Sequence, residues 1–352
     1  MTDNVRHTVR VTRRRFLFCG VAGGAALAAR GAPIGKTREP LFRFVQVNDL
    51  HVQASEPPVP PRLETYKLAH EKARWLVARI NDQTLFPLPD FVVGVGDLIH
   101  GEGLPRFAPD LKVFRDVIQP LRCPFYPVVG NHEVQQQERS PAHLQPYCAA
   151  FGKDRVDYTF TRGGILFVAL NNSGAPDPVA AKVRNEWLRK ALEENRGQPK
   201  IILCHIPLIP LRDEATLAKS FGFPSYCDHD PGTLKLLDEH AGTVIAVLSG
   251  HLHLTGVKAR DNIFHISLSG TASYPSDGAA LYEVFADRIE VAVQPLPENL
   301  AKSHESIHGK GRHGRDFTDS EHGTAEEYQR GRPEERRFSI PLPPGKRPQV
   351  KT

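Results

Sequence analysis

Past residue 31 the sequence has no apolar run approaching the ~18 residues a membrane span needs, so the body of the chain is expected to be soluble, with no membrane span in the mature protein. Cysteine is scarce. Of five, none stands in a CxxC spacing, which disfavours a thiolate zinc site. Cys123, Cys148, Cys204 and Cys227 lie outside the first 31 residues; they allow three full pairings or can stand as free buried thiols. There is no internal repeat and no low-complexity array, so solenoids and propellers are out. A basic surface is lacking as well. The net charge of +5 comes from residues 1–31, which hold six arginines and one acid. Beyond them basic and acidic residues balance at 39 each, which makes nucleic acid an unlikely partner. With 40% hydrophobic and 24% charged residues, the chain has enough apolar material for a sizeable globular core.

The basic start has a specific reading. Thr12-Arg13-Arg14-Arg15-Phe16-Leu17 resembles a twin-arginine export motif, and a Gly/Ala-rich apolar run follows over residues 16–29. At 14 residues the run is too short to span a membrane, and Ala26-Leu27-Ala28 offers a small-residue cleavage site. Residues 1–31 are therefore expected to be a twin-arginine signal peptide, with the export machinery as partner and a periplasmic or extracellular destination. The competing reading is a basic, unstructured arm. Leu17-Phe18 before Cys19 fits a lipoprotein box poorly, so no lipidation is expected.

Five short apolar runs read as buried strands: residues 42–47, 91–95, 125–129, 201–204 and 244–248. Helical spacing of apolar residues lies between them, clearest over 64–80 and 183–194. The alternation predicts an α/β protein. Residues 158–160 and 165–170 flank Arg162-Gly163-Gly164 as a hairpin, and the runs at 263–268, 281–285 and 289–293 are spaced for antiparallel strands. Together these predict a two-layered mixed β core flanked by helices. From about Pro295 the composition turns to Gly, His, Arg and Glu, so residues 298–352 read as a polar tail or surface wrap in which only Phe338-Ser339-Ile340 suits a strand.

Each of the five strands ends in a polar cluster: Asn48-Asp49-Leu50-His51, Gly96-Asp97, Gly130-Asn131-His132-Glu133, His205, and Gly250-His251-Leu252-His253. In open α/β sheets ligands bind beyond the carboxyl ends of strands, so the placement predicts one shared crevice. Carboxylate, amide and imidazole donors suit first-row metals such as Mn, Fe or Zn. Taken singly, an aspartate at a strand end is commonly a helix cap and Asn131 could simply take a left-handed turn. Caps have no reason to alternate with histidines at five successive strands.

D-x-H, GD, GNHE, a strand-end histidine and GHxH, in that order, resemble the five motifs of the calcineurin-like metallophosphoesterase superfamily, over roughly residues 41–293. The resemblance implies that family's αββα sandwich, over residues 40–297. It implies one metal held by Asp49, His51, Asp97 and His253, and a second by Asp97, Asn131, His205 and His251, with Asp97 bridging. It further implies hydrolysis of a phosphate ester, diester or monoester, by a hydroxide shared between two divalent or trivalent ions, assisted by His132 at the leaving group. Glu133 is assigned an orienting role. At His100 purple acid phosphatases carry a metal-binding tyrosine; here the residue reads as a surface histidine, with contact to substrate as the alternative, and the absence of an arginine after Gly96-Asp97 separates the chain from phosphoprotein phosphatases. Exported phosphodiesterases and class III cyclic-nucleotide phosphodiesterases remain the branches by default. His304, His308, His313 and His322 read as solvated. The contrasting possibility is an inert module that keeps this fold as an interaction scaffold, although such relatives usually lose metal donors and none is missing here.

Overall fold

The computed structural model describes residues 39–54, 69–101, 103–134, 141–174, 177–221, 226–272, 277–301 and 317–348; the signal reading, and the tail histidines His304, His308 and His313, lie outside them. Residue 39 onward forms one compact unit. Its strands make two six-stranded sheets. In the first, β1 (Phe42–Val47), β2 (Phe91–Val95) and β3 (Phe125–Val128) run parallel. Beyond β1, strands β10 (Asp277–Val284), β11 (Arg288–Pro295) and β12 (Arg337–Pro341) follow in antiparallel succession. The second sheet runs β4 (Tyr158–Arg162), β5 (Ile165–Ala169), β6 (Lys200–Leu203), β7 (Val244–Ser249), β9 (Ile263–Ser267) and β8 (Gly256–Arg260), parallel from β5 to β9 with antiparallel edges.

Side-chain alternation explains the layering. On β1, Phe42 and Phe44 enter a core shared with Phe167 and Leu203 of the second sheet, while Val45 and Val47 pack with Leu76 and Ile80 of α1 (Ala69–Asn81) and Phe107 and Phe114 of α2 (Leu104–Ile118). On β5, Phe167 faces that inner core, and Leu166 and Val168 meet Leu188 of the helix Pro178–Glu194 and Leu236 of the helix Pro231–Glu239. Both faces of the central strands are covered, which is why their sequences are continuously apolar instead of alternating. Between the sheets the Phe44 ring stacks on Tyr282 at 4.5 Å and meets Phe167 edge-on at 5.3 Å. The result is the expected αββα sandwich.

One sequence expectation changes, and a second, the strand over residues 338–340, holds. The run at 263–268 pairs antiparallel with β8 but parallel with β7, because the short turn out of β8 brings β9 back beside β7. In the polar stretch after residue 298, Phe338–Ile340 does form part of β12, and Tyr328, Ile340 and Leu342 are buried. The four cysteines within the described residues are free thiols.

Candidate metal centre

The carboxyl ends of β1, β2, β3, β6 and β7 meet. Asp49 N donates to Gly96 O (3.1 Å), His51 N to Asp97 O (3.0 Å) and Gly250 N to His205 O (2.9 Å), so adjoining strand-end loops are laced to one another by backbone. Asp49, His51, Asp97, His251 and His253 all adopt left-handed backbone, with φ from 45° to 66°. Such conformations cost on the order of 1 kcal/mol each for residues with a side chain and persist only where the surroundings impose them. Five at one place mark a site whose geometry is set against local preference.

The seven expected metal donors come together. Asp49, His51, Asp97 and His253 each offer one donor atom within 4.8 Å of the others, and Asp97, His205 and His251 form a second group on the same criterion. Asp97 belongs to both. Nε2 of His51 and Nε2 of His253 face each other at 3.1 Å, and His253 Nε2 lies 3.1 Å from Asp49 Oδ1. In the second group, Asn131 Oδ1 is 3.0 Å from His205 Nε2 and 2.8 Å from His251 Nδ1, while Asp97 Oδ2 is 3.1 Å from His205 Nε2. Imidazole nitrogens, carboxylates and an amide oxygen converging in two buried groups are a donor set that fits a pair of first-row cations.

Electrostatics in the cluster is set by burial and by its neighbours. Burial drives the His51 imidazole well below its usual range, and the His132 charge adds to this. For His205 burial acts downward, but the Asp97 carboxylate outweighs it and lifts the ring to about 9. Asp97 is displaced the other way. Burial pushes it up, yet the imidazoles of His205 and His132 hold it well below the ordinary carboxylate range. His205 Nδ1 donates to Val95 O (2.9 Å), which turns Nε2 into the centre.

His132 is the most open of these groups, 31% exposed at the side chain. Its Nδ1 donates to the His100 carbonyl, so Nε2 points to the crevice, 3.9 Å from Asp97 Oδ2. His100 itself is a correction. Its ring lies partly buried, 5.2 Å from that of His132 and 5.8 Å from that of His51, because the bridge pairing Val52 with Ile99 folds the loop after Asp97 back over the centre.

Several supports went unread in the sequence. Glu133 does more than orient one loop: its buried carboxylate accepts from the backbone of Asp97 (3.1 Å), Ile99 (3.0 Å) and Gly130 (2.6 Å). Burial, with Asp97 nearby, pushes it up to about 8. Gly130 is required here, since a Cβ would sit 2.0 Å from Asp97 N. Asp110 accepts from Ala54 N and Gly101 N, fixing the loops after β1 and β2. At the end of β5, Asn172 exchanges two hydrogen bonds with the backbone of Ile206, next to His205, and Ser173 Oγ donates to Val129 O. A polar cluster following the apolar run at 165–170 was the available signal. His322, expected to be solvated, is 1% exposed between two carboxylates.

A model described as calcineurin-like phosphoesterase matches residues 42–254. Among curated proteins, a probable glycerophosphodiester phosphodiesterase (GpdQ) of Arcobacter nitrofigilis is 22% identical over 241 residues, 67% of this chain and 80% of that protein. Among solved structures, a dimetal phosphatase from Danio rerio aligns with TM-score 0.55 at 18% identity over 73% of this chain and 97% of that one. A purple acid phosphatase from yellow lupin (Lupinus luteus) seeds aligns with TM-score 0.51 at 14% identity, over 72% of this chain and 51% of that one. At these identities the structural likeness establishes the fold.

Proposed function

The chain belongs to the calcineurin-like phosphoesterases, and from that premise we propose that it is an exported hydrolase that cleaves a phosphodiester or phosphomonoester at a dinuclear metal centre. The observation that carries the reading is the pair of buried donor groups sharing Asp97. Asp49, His51, Asp97 and His253 would hold one ion, and Asp97, Asn131, His205 and His251 the other. Bound there, a pair of divalent or trivalent ions supplies Lewis-acid clamping of phosphoryl oxygens and a water acid enough to attack phosphorus at neutral pH.

The chain's own groups do the rest. His132 holds a proton at Nδ1 against the His100 carbonyl and presents Nε2 to the crevice. When Nε2 also carries a proton, it donates to the departing oxygen, a contribution typically worth ~10²–10⁴-fold. Asp97 Oδ1 accepts from His132 N (2.9 Å), so the carboxylate common to both donor groups also fixes the acid's position. Glu133 and Asp110 hold the loops so that these groups need no rearrangement during turnover. The twin-arginine motif supports export through that machinery, checked by the compartment in which a tagged full-length chain accumulates.

The decisive experiment measures metal content and turnover of an activated phosphodiester and an activated phosphomonoester by the wild-type chain and by Asp97→Asn. About two ions per chain, with turnover abolished in the variant, is the expected result, and the substrate ratio then selects the branch. No bound metal after reconstitution with Mn, Fe or Zn would overturn the reading; two ions without turnover on either ester would favour the scaffold.

A further inference from the structure

The loop carrying His251 and His253 is held from outside the matched family region. Residues 317–336 include two short helices, Ala325–Arg330 and Pro333–Arg336, and lie beyond residue 254, where the family match ends. Gln329 Nε2 donates to the His253 carbonyl (3.4 Å), and Gln329 O accepts from Thr255 N (2.7 Å). Tyr328 packs in one cluster with Leu252, the residue between the two histidines, and with Leu254. A polar knot fastens this segment. The Arg212 guanidinium, 4% exposed, donates to Tyr328 O (3.0 Å), to Glu335 Oε1 (2.8 Å) and to Thr255 O. Glu335 Oε2 accepts from Arg332 N (2.9 Å) and meets His322 Nε2 at 2.8 Å, and His322 Nδ1 meets Asp319 at 2.8 Å. Arg212 follows His205 on the loop out of β6, so one side chain ties together the two donor-bearing loops of the second sheet and the segment that covers them.

Positive φ at His251 (66°) and His253 (50°) requires an external restraint. We propose that residues 317–336 are a clasp that sets the metal affinity of the centre by holding the His251–His253 loop in its left-handed shape, with Arg212, Gln329 and Glu335 as positioning residues. The inference rests on the reading of the centre as a metal site. None of the three contributes a donor; each acts through the backbone of His253 or Thr255 or through the Arg212–Glu335 pair.

The test uses the full chain, stripped with chelator and titrated calorimetrically with Mn²⁺ alone. Gln329→Leu keeps the bulk and removes the side-chain contact with the loop; Arg212→Lys keeps the charge and loses the fork. Glu326→Ala, which removes an exposed partner of Arg330 on the helix Ala325–Arg330, is the control. Gln329→Leu is expected to stay folded and bind Mn²⁺ about three- to tenfold more weakly, as one hydrogen bond allows. Excess Mn²⁺ should restore its turnover per bound ion, which a damaged catalytic group would not permit. Arg212→Lys should weaken binding further; if it does not fold, Gln329→Leu decides alone. Folded Gln329→Leu with affinity equal to that of Glu326→Ala would overturn the clasp while the metal centre stood, whereas a wild-type chain that takes up neither Mn²⁺ nor, in parallel titrations, Fe²⁺ or Zn²⁺ would remove both.

Discussion

The two sides of the centre meet the same physical demand by different means. On the first sheet, Asp49, His51 and Asp97 sit in left-handed backbone, and Asp97 is braced by Glu133, three residues past Gly130 within the same short motif. On the second sheet, His251 and His253 are equally strained; the Asp49 carboxylate holds His251 N, while the brace at His253 comes from residues 317–336, far along the chain. The buried carboxylates of Glu133 and Glu335 play parallel parts, each gathering backbone donors from loops that would otherwise relax. Strain at a working site therefore needs a compensating partner, but nothing obliges that partner to be nearby in sequence.

The strongest way to break the comparison removes the residue both sides share. Asp97→Asn is expected to lower kcat/KM by on the order of 10⁴, about 5 kcal/mol of barrier, and to cost metal at both groups, read by steady-state kinetics with metal analysis. His132→Gln leaves both sides in place and withdraws only the proton donor, so turnover should fall ~10²–10³-fold with metal content unchanged; a parallel loss of metal would show that His132 is a donor. Glu133→Leu strands three buried N–H groups on the first side and should lower stability by ~2–3 kcal/mol in urea unfolding, without disturbing the clasp.

The smallest effect isolates the second side. Burial pulls the His322 imidazole down, but hydrogen bonds to Glu335 and Asp319 outweigh it and leave its pKa raised, so the stabilisation it provides is present below the unfolded value and fades as pH rises through the raised one. Glu335 is opposed by burial yet drawn down to about 2 by His322 and Arg212, so its share is present above the unfolded value near 4.5 and fades as pH falls from there towards 2. The melting temperature should decline on both flanks of that window, and His322→Gln should flatten the alkaline flank and, because His322 also holds Glu335 down, reduce the acid flank as well.

Much of the site could be read from the sequence because its chemistry falls directly after runs such as Phe91–Val95 and Val244–Ser249, where apolar residues give way to Asp97 and to His251. The layers were legible for the same reason, since continuous burial on both faces leaves no polar alternation. What escaped notice depends on contacts across long separations. Asp110 reaching Ala54, Asn172 reaching Ile206 and Arg212 reaching Glu335 have no local period, and their residue types are ordinary surface types until the fold buries them. The clasp is also polar in composition, so residues 317–336 read as a tail or surface wrap with no sign of what it would cover.

The pairing of β1 with β10 sets the order in which this molecule can be made. Phe42 lies opposite Val284, so the strand that ends in Asp49 and His51 has one parallel neighbour available early and its other flank bare until the carboxyl-terminal third exists. Non-local pairing of this kind slows closure. A chain still emerging from the ribosome can assemble β5, β6 and β7 with their helices, yet it presents β1 with an open edge until β10 arrives. Truncation anywhere before residue 277 should leave that edge exposed for good, and the product is expected to aggregate instead of surviving as a smaller enzyme.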